Sequence, residues 1–309
     1  MEQVKKKKRN GLTRKADRQL LIMCIPTFLK LLVFSYIPLV GLYMAFTNYI
    51  PRKGIFGSEF IGFDNFQYLF KTPDFKRIFG NAIIYNLLFM STGLVFSVFL
   101  ALLIFEIKSR LTLKIYQTMF FLPYFVSWIL VGEILGVLFE SQGMITHMIE
   151  NMTGETYRFY MTPGPWRFIL VATNIWKGAG VSAIIYYATL MNCDICLYEA
   201  ADLDGASRWQ KMWYISIPHL RTMMCVNTIM SGANILRNDI GLFFFATKDN
   251  TALWEATDVI DTYIWRIVRK SGNFQVGTAV GLVQGGIGLF LTIFSNWIVR
   301  KIDEQSALY

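Results

Sequence analysis

Four ionisable residues, Glu133, Lys177, Arg237 and Asp239, fall inside otherwise apolar stretches of this sequence. The amides Asn174 and Asn234 and the rings of Trp128 and Trp176 share those stretches. A charge in hydrocarbon is costly unless it pairs or meets water, so these side chains are expected to turn inward. The chemistry open to such a set is recognition rather than bond-making. Aromatic faces stack on the apolar C–H patches of a sugar, while amides and charges bond its hydroxyls. An internal brace of Lys or Arg against carboxylate is the competing reading. If the residues line a pathway, Lys177→Met should lower solute uptake more than assembly.

Bond-making chemistry finds little support. Cys193 and Cys196 form a single Cys-x-x-Cys, and Cys24, Cys225, His147 and His219 complete the inventory, so no metal site is expected. There is no Gly-x-x-x-x-Gly-Lys-Ser/Thr phosphate loop, and the chain is not expected to hydrolyse ATP. No paired nucleophile stands out, and the chain reads as a non-enzyme.

The elements that must position these residues are membrane helices. At 54% hydrophobic, 17% charged and a mean hydropathy of +0.40 over 309 residues, the chain is too apolar for a soluble domain of its size. It reads as an all-α polytopic membrane protein with six spans, at about Leu20–Phe46, Asn81–Phe105, Tyr116–Phe139, Trp166–Met191, Thr222–Ala246 and Val276–Val299. At about 1.5 Å per residue, the ionisable groups lie roughly 9 to 16 Å below the outer ends of their spans. A net charge of +9 carries no nucleic-acid motif and reads as topology. A basic arm over residues 1–19, with Lys5 to Lys8, Arg9, Arg14, Lys15 and Arg18, places the N-terminus in the cytoplasm. Inner segments then carry fifteen Lys and Arg against ten outside, and the tail 300–309 is also cytoplasmic. Residues 20–299 form the membrane domain. Lys30 within the first span is expected to snorkel to the cytoplasmic surface.

Two further features remain open between readings. The outer segment 247–275, with Trp254, Asp258, Asp261, Tyr263, Trp265 and Arg266, suits either an interfacial helix or sugar recognition. Gly277, Gly281 and Gly285 clear one face of the last span for close helix packing, inside this chain or with another.

One polar stretch interrupts the spans, the cytoplasmic loop 192–219. Glu199, Ala200 and Ala201 favour a helix, Gly205 stops it, and a second short amphipathic run over Ala206–Tyr214 ends ahead of Ile215 and Pro218. The pattern predicts two short helices about a glycine elbow, with Asp204 and Arg208 flanking it, a surface suited to a groove on a soluble partner.

Here the sequence resembles the permease subunits of ABC importers, whose signature is Glu-Ala-Ala, three residues, Gly, nine residues, Ile-x-Leu-Pro. Glu199, Ala200, Ala201, Gly205, Ile215 and Pro218 match it, with Ile217 in place of Leu. Phe34-Ser-Tyr-Ile-Pro, Gly62-Phe-Asp-Asn-Phe, Leu122-Pro-Tyr-Phe-Val-Ser-Trp, Ile175-Trp-Lys-Gly and Thr257-Asp-Val-Ile-Asp-Thr-Tyr look like the LplB-type branch of carbohydrate-uptake permeases. The resemblance implies a type I ABC importer permease fold in the cell membrane and an oligosaccharide substrate. It also implies a second homologous permease, two cytoplasmic ATPase copies that bind ATP and Mg, and an extracellular solute-binding lipoprotein. Glu199, Ala200, Ala201 and Gly205 would form the coupling helix. The rival class, a self-sufficient secondary transporter, should show inverted repeats, and none is visible.

Overall fold

The computed structural model describes residues 11–302; most of the basic arm and the tail from 303 lie outside the described residues. The chain opens with α1 (Gly11–Leu31), which runs on through a π-turn at Leu32–Tyr36 into a 3-10 segment, Ile37–Phe46. The wider turn lies where Pro38, lacking an N–H and crowding the carbonyl four residues back, would break a regular helix. Side chains from Arg18 to Val40 are exposed throughout, and Ala45 is the first to be buried. An apolar helix with no cover from its own chain is suited to lipid or to a neighbouring subunit.

A short hairpin pairs β1 (Thr47–Asn48) with β2 (Glu59–Phe60) around α2 (Gly54–Gly57), and α3 (Asp64–Lys71) follows. Asn65 on α3 ties this loop down, its Nδ2 donating to the carbonyls of Ala45 at 2.9 Å and Thr47 at 3.1 Å. Next come α4 (Phe75–Phe105), α5 (Arg110–Phe121), α6 (Trp128–Phe139), α7 (Met144–Thr153) and α8 (Trp166–Leu190). The 192–219 loop holds α9 (Ile195–Leu203) and α10 (Arg208–Lys211), followed by α11 (Ile217–Ala233), α12 (Ile240–Thr247), α13 (Trp254–Thr257), α14 (Ile260–Arg269) and α15 (Phe274–Ile302).

The all-helical expectation holds, and among the described residues five stretches have the length and apolarity to cross a membrane: Arg18–Phe46, Phe75–Phe105, Trp128–Thr153, Trp166–Leu190 and Phe274–Trp297. Two expected spans need correction. The third is not continuous over Tyr116–Phe139: α5 gives way at Leu122–Phe125, and α6 starts afresh with the Ser127 hydroxyl accepting from the Leu130 N–H. Pro123 removes a donor there, and a serine is a strong helix start. The fifth begins earlier than Thr222, ends at Ala233 and resumes at Ile240, with Asp239 capping the new helix. Asn234–Asp239 is thus a break, not helix.

The packing axis is α4 against α8, with one apolar cluster around Tyr85, Trp166, Leu170, Phe243 and Ile260 and a second around Ala101, Tyr186 and Leu220. Gly180 lets α8 pass the C-terminal end of α5, because a Cβ there would sit 1.9 Å from the Phe120 carbonyl oxygen. On α15, Gly277 meets Val268 and Gly288 approaches the Ala233 carbonyl, whereas Gly281 and Gly285 face open space.

Candidate functional site

Both broken spans expose helix ends inside the membrane domain, and their loose main-chain groups are met by side chains. At the first break the 3-10 extension of α5 ends with the Val126 N–H on the Pro123 carbonyl at 3.1 Å, and the carbonyls that follow run out of intrahelical donors. Lys177 on α8 supplies them: its Nζ donates to the carbonyls of Tyr124 at 2.8 Å, Pro123 at 3.4 Å and Val126. A cation at the negative end of a helix is favourable. The same ammonium lies 5.0 Å from the Trp128 ring centroid and 5.7 Å from that of Tyr124.

At the second break, Asp239 caps α12 through Oδ1, which accepts from the Gly241 N–H at 2.8 Å. Its Oδ2 accepts from Trp128 Nε1 at 2.6 Å. The two breaks are therefore tied together. The rest of the second break is held from outside: the Asn238 N–H donates to Asp261 Oδ2 at 2.7 Å, Gln284 Nε2 to the Leu236 carbonyl at 2.7 Å, and Asn86 Nδ2 to the Arg237 carbonyl at 3.2 Å. Burial pushes the Asp261 carboxyl above the usual range of an aspartate.

Beside the breaks runs a string of polar depressions. The first, about 160 Å³, lies between α4, α8 and α11 and includes Ser97, Asn174, Ser182, Asn227 and Ser231. The second, about 350 Å³, shares Phe89, Met90 and Ser231 with the first and adds Asn86 and Asn234. The third, about 420 Å³, shares Asn234 and continues past Arg237 to Gly281, Gln284, Gly285 and Thr292 on α15. Asn227 and Ser231 are spaced i, i+4 on one face of α11, and Asn234 stands at its C-terminal cap. Sequence reading missed Asn227 and Ser231. The signal was present as a polar stripe at helical spacing within an apolar span.

Trp128, Lys177 and Asp239 thus come together in one cluster, Asn174 lines the groove, and Asn234 and Arg237 stand where it widens. Glu133 and Trp176 are exposed on α6 and α8 and join neither the cluster nor the groove. In the 247–275 segment, Asp258 is buried and accepts from Arg266 Nη2 at 2.7 Å, from Arg77 Nη2 at 3.1 Å and from the Thr262 hydroxyl at 2.9 Å. The Arg266 guanidinium stacks 3.9 Å from the Trp254 ring centroid. Asp258, Arg266 and Trp254 are therefore an internal brace and not a surface for sugars.

In the 192–219 loop, Asp194 caps α9, and the chain turns at Gly205 with φ +74°. The Ala206 N–H donates to the Ala201 carbonyl at 2.9 Å, closing the turn. Ser207 and Gln210 then form a capping box that starts α10. The expected end of that second helix is corrected: it passes through a π-turn at Met212–Ser216 and continues past Pro218 into α11. The π-turn absorbs the proline, as at Pro38. Two bonds strap the elbow to this helix, Lys211 Nζ to Asp202 Oδ1 at 2.6 Å and Tyr198 Oη with Ser216 Oγ at 2.9 Å. Glu199, Ala200, Asp204, Gly205, Arg208 and Pro218 are exposed, Ala201 is half-buried, and Leu203 at the tip is 90% exposed. Arg208 reaches Glu106 at the end of α4 at 3.9 Å.

Comparison with known proteins adds four findings. The family described as "Binding-protein-dependent transport system inner membrane component" matches residues 93–304. Protein LplB of Bacillus subtilis is 33% identical over 94% of this chain and 91% of its own length. The B. subtilis polygalacturonan/rhamnogalacturonan transport system permease protein YteP is 33% identical over 97% and 94%. Among solved structures, a chain of a bacterial alginate ABC transporter in complex with an alginate pentasaccharide-bound periplasmic protein superposes with a TM-score of 0.83 at 32% identity, covering 96% of this chain and 98% of that one.

Proposed function

Because the chain belongs to the binding-protein-dependent transport system inner membrane components, multi-pass permeases of ABC importers with the type I fold, we propose that it forms, with a second homologous permease, the membrane pathway for an oligosaccharide handed over by an extracellular solute-binding protein. The observation that carries this reading is the end-to-end likeness to the permease chain of the alginate transporter. Relatives named for polygalacturonan and arabinooligosaccharide transport support a carbohydrate cargo.

In this reading both termini and the 192–219 loop are cytoplasmic. Two copies of an ATPase subunit, which bind ATP and Mg, hold the exposed elbow of Glu199, Ala200, Ala201, Asp204, Gly205 and Arg208 in a groove. ATP binding draws the elbows of the two permeases together and favours the conformation open to the binding protein; hydrolysis returns the inward-open one. The straps from Asp202 and Tyr198 pass a push on α9 into the helix that continues through Pro218 to α11. That helix carries the polar stripe, so movement of the elbow reaches the pathway through rigid helix. Trp128, Asn174, Lys177, Asn234, Arg237 and Asp239 are assigned to the pathway and the breaks that shape it. Exposed Glu133 and Trp176 are assigned to its outer approach, and lipid covers the apolar face of α1.

The test is an affinity pull-down of the tagged chain from gently solubilised native membranes, beside a variant lacking residues 199–205. The wild type should bring a second permease and an ATPase, and the variant should lose only the ATPase. Isolation of the wild type alone, under conditions that preserve other membrane complexes, would overturn the importer reading.

A further inference from the structure

We propose that the apolar groove between the C-terminal half of α4 and the helix running from α10 into α11 binds one phospholipid with an anionic headgroup, its acyl chain along the groove and its phosphate at Arg208. This rests on the cytoplasmic placement of the 192–219 loop in the reading above.

The groove encloses about 720 Å³. Leu94, Val98 and Leu102, half-buried and spaced i, i+4, i+8 on α4, form one wall, and Met212, Ile217 and Met224 on the facing helix form the other. Among the described residues that line it, only Glu106 and Arg208 are charged, and they meet at one end, where α4 stops and α10 starts. From Leu94 to Glu106 the chain advances about 18 Å at about 1.5 Å per residue, close to the roughly 15 Å of hydrocarbon in one leaflet. Beyond Leu94 and Met224 the surface of the same two helices turns polar, at Asn86, Ser231 and Asn234. A membrane-spanning helix seated in the groove would lie across those groups, whereas an acyl chain ends before them.

The charged end suits a headgroup. Trp209 and Trp213 line it while remaining 69% and 60% exposed, and an indole, apolar in body with one polar N–H, is at home between hydrocarbon and water. Arg208 is exposed, and its one ion pair among the described residues, to Glu106, is long at 3.9 Å. Lys108 and Arg110 are exposed just past Glu106, so cations outnumber the carboxylate at this end. A guanidinium fork matches phosphate oxygens, and clustered Lys and Arg at a cytoplasmic membrane surface attract anionic lipid. None of residues 199–205 lines the groove, so an ATPase on the elbow and a lipid in the groove are compatible. One wall is the helix that carries the push of the elbow and the other is α4, so the lipid fills a space whose width follows that helix, and its occupancy biases the two conformations.

In the experiment, the complete importer in mild detergent is irradiated with a phosphatidylglycerol that carries a diazirine on its acyl chain, and the labelled peptides are identified by mass spectrometry. Label should concentrate within residues 94–106 and 208–224, and unlabelled phosphatidylglycerol should suppress it at least tenfold more effectively than phosphatidylcholine with the same chains. Leu102→Trp, which fills the groove, should lower the label at least fivefold while keeping the second permease and the ATPase, and Arg208→Gln should cut the preference for phosphatidylglycerol at least threefold. Label spread evenly over the apolar helices, equal suppression by the two lipids, or full labelling of Leu102→Trp would overturn the proposal. So would loss of the second permease from Leu102→Trp, which would assign the groove to the subunit interface, or loss of the ATPase alone, which would assign it to that contact. Co-purification of the second permease and the ATPase with wild type, scored before lipid is added, reports separately on the importer reading.

Discussion

At Gly205 the backbone sits at φ +74°, a region that costs an L-residue about 1–2 kcal/mol, while a Cβ built there meets nothing within 4 Å. The constraint is conformational, not spatial. Gly205→Val should therefore unwind the elbow and lower ATPase co-purification, whereas Gly205→Asn, which tolerates this conformation, should retain most of it. Equal retention by both variants would count against the elbow as the docking element. Lys177 carries a different lesson. From its depth alone, Lys177→Met should lower uptake more than assembly, but its ammonium satisfies carbonyls at a helix break. Leaving them without a donor costs about 1–3 kcal/mol. Lys177→Met is now expected to lower the melting temperature of the purified chain as well as uptake, and Lys177→Arg to restore part of both. A melting temperature equal to wild type would remove the bracing role.

Helix breaks are where spans can bend, and here two of them are joined by a single side-chain bond, Trp128 Nε1 to Asp239 Oδ2. Because Asp239 also caps α12, the bond links the start of α6 to the start of α12. A double-mutant cycle with Trp128→Phe and Asp239→Asn isolates this link, since the ring survives the first change and a capping oxygen survives the second. A coupling of about 1 kcal/mol in stability is expected. Strictly additive effects would mean that the bond contributes nothing. The α9–α10 elbow and the stripe on α11 form another linked pair, because the π-turn lets one helix run from the capping box at Ser207 to Ala233. A helix stopped at Pro218 would have uncoupled the elbow from the groove.

Across the whole molecule, the buried Asp258 side chain fastens the 247–275 segment to the long α4 helix, binding Arg266 nearby and Arg77 far away in sequence. Removing one partner from a buried ion pair leaves uncompensated charge and costs roughly 3–5 kcal/mol. Asp258→Ala should thus sharply lower the melting temperature in detergent and expose the 247–275 segment to proteolysis. An unchanged proteolytic pattern would show that the segment is held by other contacts.

What the sequence by itself determined was the helical class, the passage through the membrane and the elbow at 199–218. Those follow from composition, turn chemistry and capping, which act over a few residues. The polar pair of Asn227 and Ser231 was equally legible, as i, i+4 spacing on one helix, and sequence reading missed it. Only the tertiary structure decided the partners. Trp128 and Asp239 are 111 residues apart, and Arg77 and Asp258 are 181 apart. Depth in a span placed Lys177 and Arg237 alike, as cations in hydrocarbon. Which of them faces main-chain carbonyls and which faces an open groove depends on how α5, α8, α11 and α15 pack, and no local pattern encodes that.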